Sequence, residues 1–182
     1  MGAIFLNANR GKRSIVLDLK RPEARGALLD LARRADVLIY NVRPQAMARL
    51  GLSYDEVRAV SPRIIYAGVF GFGRNGPYAE RPAYDDLIQG AAGLPALSLM
   101  AGSPQPRYVP TTIADRTVGL SAVGVILAAL LHRERTGEGQ SVDVPMFETM
   151  TQFVMGDHLG GRSFVPPQGP AGYPRLLAHE RR

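Results

Sequence analysis

The chain has 182 residues, 46% of them hydrophobic, with a formal net charge of +6 and no cysteine. That length and composition suit one globular domain with a sizeable core. The missing cysteine removes disulfides, zinc–thiolate sites and thiol catalysis. Nearly all the positive charge is arginine, Lys12 and Lys20 being the only lysines. The arginines are dispersed, with neither a basic arm nor a nucleic-acid-binding motif, so no nucleic-acid partner is expected. Dispersed arginines suit an anionic small ligand.

The first residues, MGAIFLNANRGKR, place their charges after a very short apolar stretch, so no signal peptide is expected. Together with the lack of a disulfide framework this is compatible with a reducing cytoplasm. Residues 13–19 (RSIVLDL) predict a strand. Pro22 marks a helix start, and 24–35 place Leu28, Leu29 and Leu31 on one helical face. Residues 36–40 predict a short strand, and 44–50 a helix stopped by Gly51. Ser53-Tyr-Asp-Glu56 has the capping-box pattern, opening a helix to about Val60. Residues 63–70 predict another strand. This order of elements argues for a parallel sheet with crossover helices.

Beyond Phe70, 71–82 predict a Gly/Pro-rich loop, 84–92 a helix and 102–110 a second loop. A long helix follows from Arg116 to about Arg135. Its segment 118–131 carries no charge, so a core helix apolar around its circumference is expected, one that needs cover on all sides and that this chain's own elements cover only in part, leaving apolar surface exposed. That run of 14 residues is too short to cross a bilayer, and no membrane partner is expected. Residues 141–144 predict a strand and 146–155 a helix. From 156 to 182 there are nine Gly or Pro residues and no apolar period. The expected organisation is therefore a partial α/β domain over 1–155 and a segment over 156–182 that packs on something further.

Asp115 stands at the mouth of the uncharged helix. An acid there is expected to be held ionised, either as an ordinary N-cap or as a nucleophile. Gly71-Phe-Gly-Arg-Asn-Gly76 matches G-x-G-x-x-G after a strand, but Pro77 and Pro82 follow where the fingerprint needs a helix. No acid-ended strand lies about 20 residues on. A nicotinamide site is not expected. His132, His158 and His179 have no ligand partner at i, i+4, so no metal is expected, and His132 suits the negative end of the long helix. Ser121 lacks the second glycine of a nucleophile elbow. Asp85 and Asp86 can serve acid–base chemistry or complement a helix dipole.

Taken together, Asn9-Arg-Gly-Lys-Arg-Ser-Ile-Val-Leu-Asp18, Ala35-Asp-Val-Leu-Ile-Tyr-Asn-Val-Arg-Pro44, Arg49-Leu-Gly-Leu-Ser53, Gly71-Phe-Gly-Arg-Asn-Gly-Pro-Tyr78, Arg81-Pro-Ala-Tyr-Asp85, Ile113-Ala-Asp115 and Arg135-Thr-Gly-Glu-Gly-Gln-Ser-Val-Asp-Val144 resemble the family III CoA-transferases. Each is weak alone; their order and spacing are specific. The resemblance implies a Rossmann-like α/β large domain, truncated, with coenzyme A as substrate and neither metal nor NAD. It implies that Asp115 is the nucleophile, attacking an acyl-CoA thioester to give a mixed anhydride and then an aspartyl-CoA thioester. Backbone N–H groups of a glycine loop are expected to steady the oxyanion. Arg10 and Lys12 fall in the stretch that approaches the CoA phosphates, Asn41, Val42 and Arg49 match the nucleotide side, and Tyr84 is counted with them among the expected CoA-binding residues. Val42 stands where an aromatic is usual, and Tyr40 where an acid is usual. Tyr84 occupies the position at which the α-methylacyl-CoA racemases of the same superfamily use a histidine. An unperturbed phenol pKa near 10 makes it a poor base at about pH 7, which favours transferase over racemase or isomerase. Family members form interlocked homodimers and extend beyond both ends of the stretch matched here, so an inactive remnant is the further alternative.

Overall fold

The computed structural model describes residues 2–173. The chain opens with α1 (Ala3–Ala8), followed by α2 (Pro22–Ala32), β1 (Val37–Tyr40), α3 (Pro44–Arg49), α4 (Tyr54–Val60) and β2 (Ile65–Gly68). Then come α5 (Asp85–Ala91), α6 (Leu94–Met100), α7 (Ile113–Thr136), β3 (Gln140–Asp143) and α8 (Met146–Leu159), with a 3-10 turn at Gly160–Ser163. The three strands form one parallel sheet in the order β1-β2-β3, with Tyr40, Gly68 and Asp143 in register at their C-terminal ends. The α/β class and the parallel sheet with crossover helices are as expected.

Local chemistry explains most boundaries. Pro22 and Pro44 sit in the first turns of α2 and α3, where a missing N–H costs nothing. Ser53 and Glu56 form the full reciprocal box at the start of α4, with Ser53 N–H donating to Glu56 Oε2 at 2.8 Å. Gly137 closes α7 in the left-handed region at φ 81°, donating to Arg133 O.

β2 is buried on both faces, as a central parallel strand should be. Tyr66 turns into one core with Tyr40, Met47, Leu52, Val57 and Phe70, against α2, α3 and α4. The second core joins α5, α7 and α8 through Ile88, Val118, Val144, Met150 and Val154.

Four expectations are corrected. Residues 13–18 carry no regular secondary structure, and Val16 is 95% exposed. A strand is a property of a pair, and this segment has no pairing neighbour among the described residues. α1 and α6 were not anticipated; α6 starts after left-handed Gly93 with Pro95 in its first turn. α7 begins three residues earlier than expected, so Asp115 is its third residue and Thr112 the N-cap. The apolar stretch of α7 is only partly covered, as expected of this chain: Val118 and Ala122 are buried, whereas Leu120 is 76% exposed and Val123, Leu127 and Leu131 face outward. At 24 residues, with a mean hydropathy of 1.7 over its most apolar window, α7 is the one helix among the described residues long and apolar enough to cross a membrane, as core helices of soluble proteins also can be. Finally, α8 runs to Leu159 rather than Met155. The following loop folds back, with Gly161 N–H donating to Pro170 O and Gly172 N–H to His158 O. The part of 156–182 beyond Tyr173, including His179, lies outside the described residues.

Candidate active site

Asp115 lines a cleft of about 410 Å³ with Thr112 and Arg116 from the start of α7 and Ile4, Asn7 and Ala8 from α1. Its side chain is open to that cleft. Thr112 makes no side-chain capping bond; the N–H of Asp115 is instead taken by Asp85 Oδ1 at 2.9 Å. Asp85 thus performs, from 30 residues away, the task of an N-cap side chain. It is buried, whereas its neighbour Asp86 is exposed in the first turn of α5. Desolvation first, and the Asp85 charge second, push the Asp115 carboxyl above the usual carboxylate range. The helix mouth therefore does not depress its proton affinity as expected, and Asp115 is not the N-cap.

The loop carrying Gly71, Gly73 and Gly76 leaves β2 and passes through turns, with no helix until α5. A Cβ on Gly71 would overlap the Ala83 methyl, so only glycine lets the loop lie against the residues leading to Tyr84 and Asp85. Gly73 N–H donates to Glu148 Oε1 at 2.9 Å and Gly76 N–H to Gly73 O. Two of the backbone donors expected to serve an oxyanion are thus already engaged. Arg74 holds the same loop to the sheet. Its Nη2 donates to Asp143 Oδ1 at 2.8 Å and to the Tyr40 hydroxyl at 3.0 Å, and its guanidinium lies 5.6 Å from the Phe70 ring centroid.

Comparison with known proteins decides the family. The model for CoA-transferase family III matches residues 1–173. The chain belongs to CoA-transferase family III. It is 42% identical over 150 residues to the acetyl-CoA:oxalate CoA-transferase of Acetobacter aceti, covering 82% of this chain and 39% of that protein. It is 40% identical over 151 residues to the succinate–glutarate CoA-transferase of Agrobacterium fabrum, covering 82% and 37%. A CAIB/BAIF family protein from Brucella suis superposes with a TM-score of 0.81 at 35% identity, covering 92% of this chain and 44% of that one. The chain therefore spans less than half the length of each of these relatives.

Within this family member the expected CoA-contacting residues fall in separate places. Arg10 and Lys12 lie just beyond α1, which walls the Asp115 cleft. Asn41 lines an apolar groove of about 430 Å³ between β1 and α7, with Val69, Gly119 and Ile126. Val42 is exposed beside it. Arg49 lines a third cleft, of about 250 Å³, with Lys20, Arg21 and Arg25. Tyr84 is the N-cap of α5 and 72% exposed. Sequence reasoning missed Asn7, Arg116 and the three cations around Arg49, which carry no motif. It also missed the Asp85–Gln89 pair, whose i, i+4 spacing on a helix was the available signal. Among the described residues no group of three or more His, Asp or Glu side chains could hold a metal ion.

Proposed function

We propose that this chain carries the nucleophile-bearing part of an enzyme that moves CoA from an acyl-CoA thioester to a carboxylic acid. The observation that supports this most is the placement of Asp115. It opens into a cleft whose far wall, α1, leads directly to Arg10 and Lys12. A carboxylate and phosphate-binding cations then serve the two ends of one long anionic thioester. A carboxylate oxygen of Asp115 bonds to the thioester carbonyl carbon, the C–S bond breaks, and the pair leaves on sulfur as CoA thiolate. The thiolate attacks the Asp115 side of the resulting anhydride, releasing the donor acid and leaving an aspartyl-CoA thioester. The acceptor carboxylate repeats the sequence in reverse. Every step exchanges oxygen and sulfur at an acyl carbon, so neither redox change nor proton transfer is required.

The basic cleft at Arg49 suits the phosphorylated nucleotide end of CoA, and Asn41 stands beyond the C-terminal end of β1, where open parallel sheets receive ligands. The exposed apolar face of α7 supports a homodimer, since contiguous apolar surface marks a partner site. The names of the relatives pair CoA with oxalate, succinate and glutarate, so a small dicarboxylate is the first acceptor to try. The soluble cytoplasm is the compartment this chemistry implies.

A second reading has its own support. Asp115, Asn41 and Arg49 line three separate clefts. An arrangement of that kind fits a remnant that keeps the fold without closing one site. Incubating the chain with acetyl-CoA or succinyl-CoA and oxalate, succinate or glutarate separates the readings. Formation of the exchanged acyl-CoA, absent with Asp115→Ala, supports transfer. No exchange with any pair supports the remnant. Epimerisation of a chiral 2-methylacyl-CoA would instead favour the racemase reading.

A further inference from the structure

Asp85 is only 9% exposed and makes no ion pair among the described residues. Its Oδ1 accepts from Asp115 N–H at 2.9 Å and its Oδ2 from Gln89 Nε2 at 2.7 Å. Gln89 is 0% exposed. Its Oε1 accepts from Val109 N–H at 3.0 Å, and its Nε2 lies 3.3 Å from Thr111 O. Two residues one turn apart on α5 therefore grip the segment that enters α7 and the third N–H of that helix.

The grip alone does not call for a charge. A neutral Asn or Ser side chain caps a helix N–H as well as a carboxylate does. A buried carboxylate without a counter-ion costs stability, and this one lies close enough to the Asp115 carboxyl to help raise its proton affinity. What the charge adds, and a neutral cap lacks, is repulsion against Asp115. That repulsion is useful only if Asp115 loses its charge during its work.

We propose that Asp85, locked by Gln89, is a positioning residue that fixes the first turn of α7 beneath Asp115 and keeps the Asp115 carboxylate in an electrostatically disfavoured, reactive ground state. This rests on Asp115 being the nucleophile. When its oxygen bonds to the acyl carbon and the C–S pair departs on sulfur, negative charge leaves the neighbourhood of Asp85. The repulsion is relieved on the way to the transition state, and only such differential interactions accelerate a chemical step. At the cleft, α1 contributes Ile4, Asn7 and Ala8, none of them charged, and α7 contributes Arg116, whose Nε lies 3.4 Å from Thr112 Oγ1. The raised proton affinity of Asp115 has the sign this arrangement requires.

The test is carboxyl-carbon NMR of the whole chain with aspartate labelled, in wild type, Asp85→Asn and Asp85→Ala. In the wild type the Asp115 carboxyl should titrate above the ordinary aspartate range. In Asp85→Asn it should titrate at lower pH, while the amide of Asp115 stays near its original shift. Acylation of Asp115 by acyl-CoA should slow by about tenfold in Asp85→Asn and by about a hundredfold in Asp85→Ala, where the turn itself is released. A wild-type Asp115 that titrates in the ordinary aspartate range, or an Asp115 titration that Asp85→Asn leaves in place, overturns the proposal. The wild-type measurement can overturn it even if neither variant folds. A raised Asp115 titration that Asp85→Asn reverses, without any acylation of the wild type, supports the clamp and tells against the transferase reading instead.

Discussion

Replacing Arg74 with Met should detach the glycine loop from the sheet without emptying the space its side chain fills. The guanidinium makes a two-pronged contact with Asp143, its Nε lying 2.6 Å from Oδ2 and its Nη2 2.8 Å from Oδ1. It also donates to Tyr40 and lies over Phe70. Both charged side chains are part-exposed, which limits an ordinary ion pair to about 1 kcal/mol at most. Two-pronged geometry, the phenol bond and the aromatic face each add a fraction, giving roughly 2 kcal/mol in all. For a chain of this size that corresponds to a Tm lower by about 4–8 °C. A double-mutant cycle with Asp143→Asn should give a coupling of about 1 kcal/mol. Hydrogen exchange should rise at 71–76 and stay unchanged in β2. The Tyr40 phenol, raised by burial first and held back by Arg74, should titrate at still higher pH in the variant. Additive single effects, or an unchanged exchange rate in the loop, would refute the idea that this residue pins it.

The titration of Asp115 carries a stability consequence. Its folded-state pKa is raised, so it favours the fold below its unfolded pKa, and that contribution is lost as pH rises through the higher folded value. Asp115→Asn should therefore melt higher than wild type at neutral pH and should lack that part of the decline between acid and neutral pH; equal melting curves across that range would contradict the assignment. The outward face of α7 should drive self-association. Leu120→Gln with Leu127→Gln, both exposed and seven residues apart, should shift sedimentation from dimers or larger species toward monomer with little change in Tm, and unchanged association would locate the interface elsewhere.

Features set by local chemistry were legible in the sequence. Pro22, Pro44, the Ser53–Glu56 pair and Gly137 each act within a turn of their own position, and the elements they bound lie where expected. Features set by distant partners were not. Residues 13–19 have the composition of a strand, but pairing depends on a neighbour that composition cannot supply. α7 was legible as apolar all round and short of cover, but which side is covered, the one bearing Val118 and Ala122, depends on α5 and α8 packed against it. Asp115 was located by its motif and helix-mouth setting, while its cap comes from α5, a tertiary contact across 30 residues that no local pattern announces. α1 and α6, at six and seven residues, are too short to show an apolar period, and neither has the capping box that marked the equally short α4.

The central claim is that Asp115 forms the covalent bond. Its most direct test is to incubate the chain with an acyl-CoA, quench with hydroxylamine and sequence the peptides by mass spectrometry. The account predicts a hydroxamate on Asp115, dependent on acyl-CoA and absent from the Asp115→Ala protein. Label confined to another residue, or CoA exchange by Asp115→Ala at the wild-type rate, would contradict it.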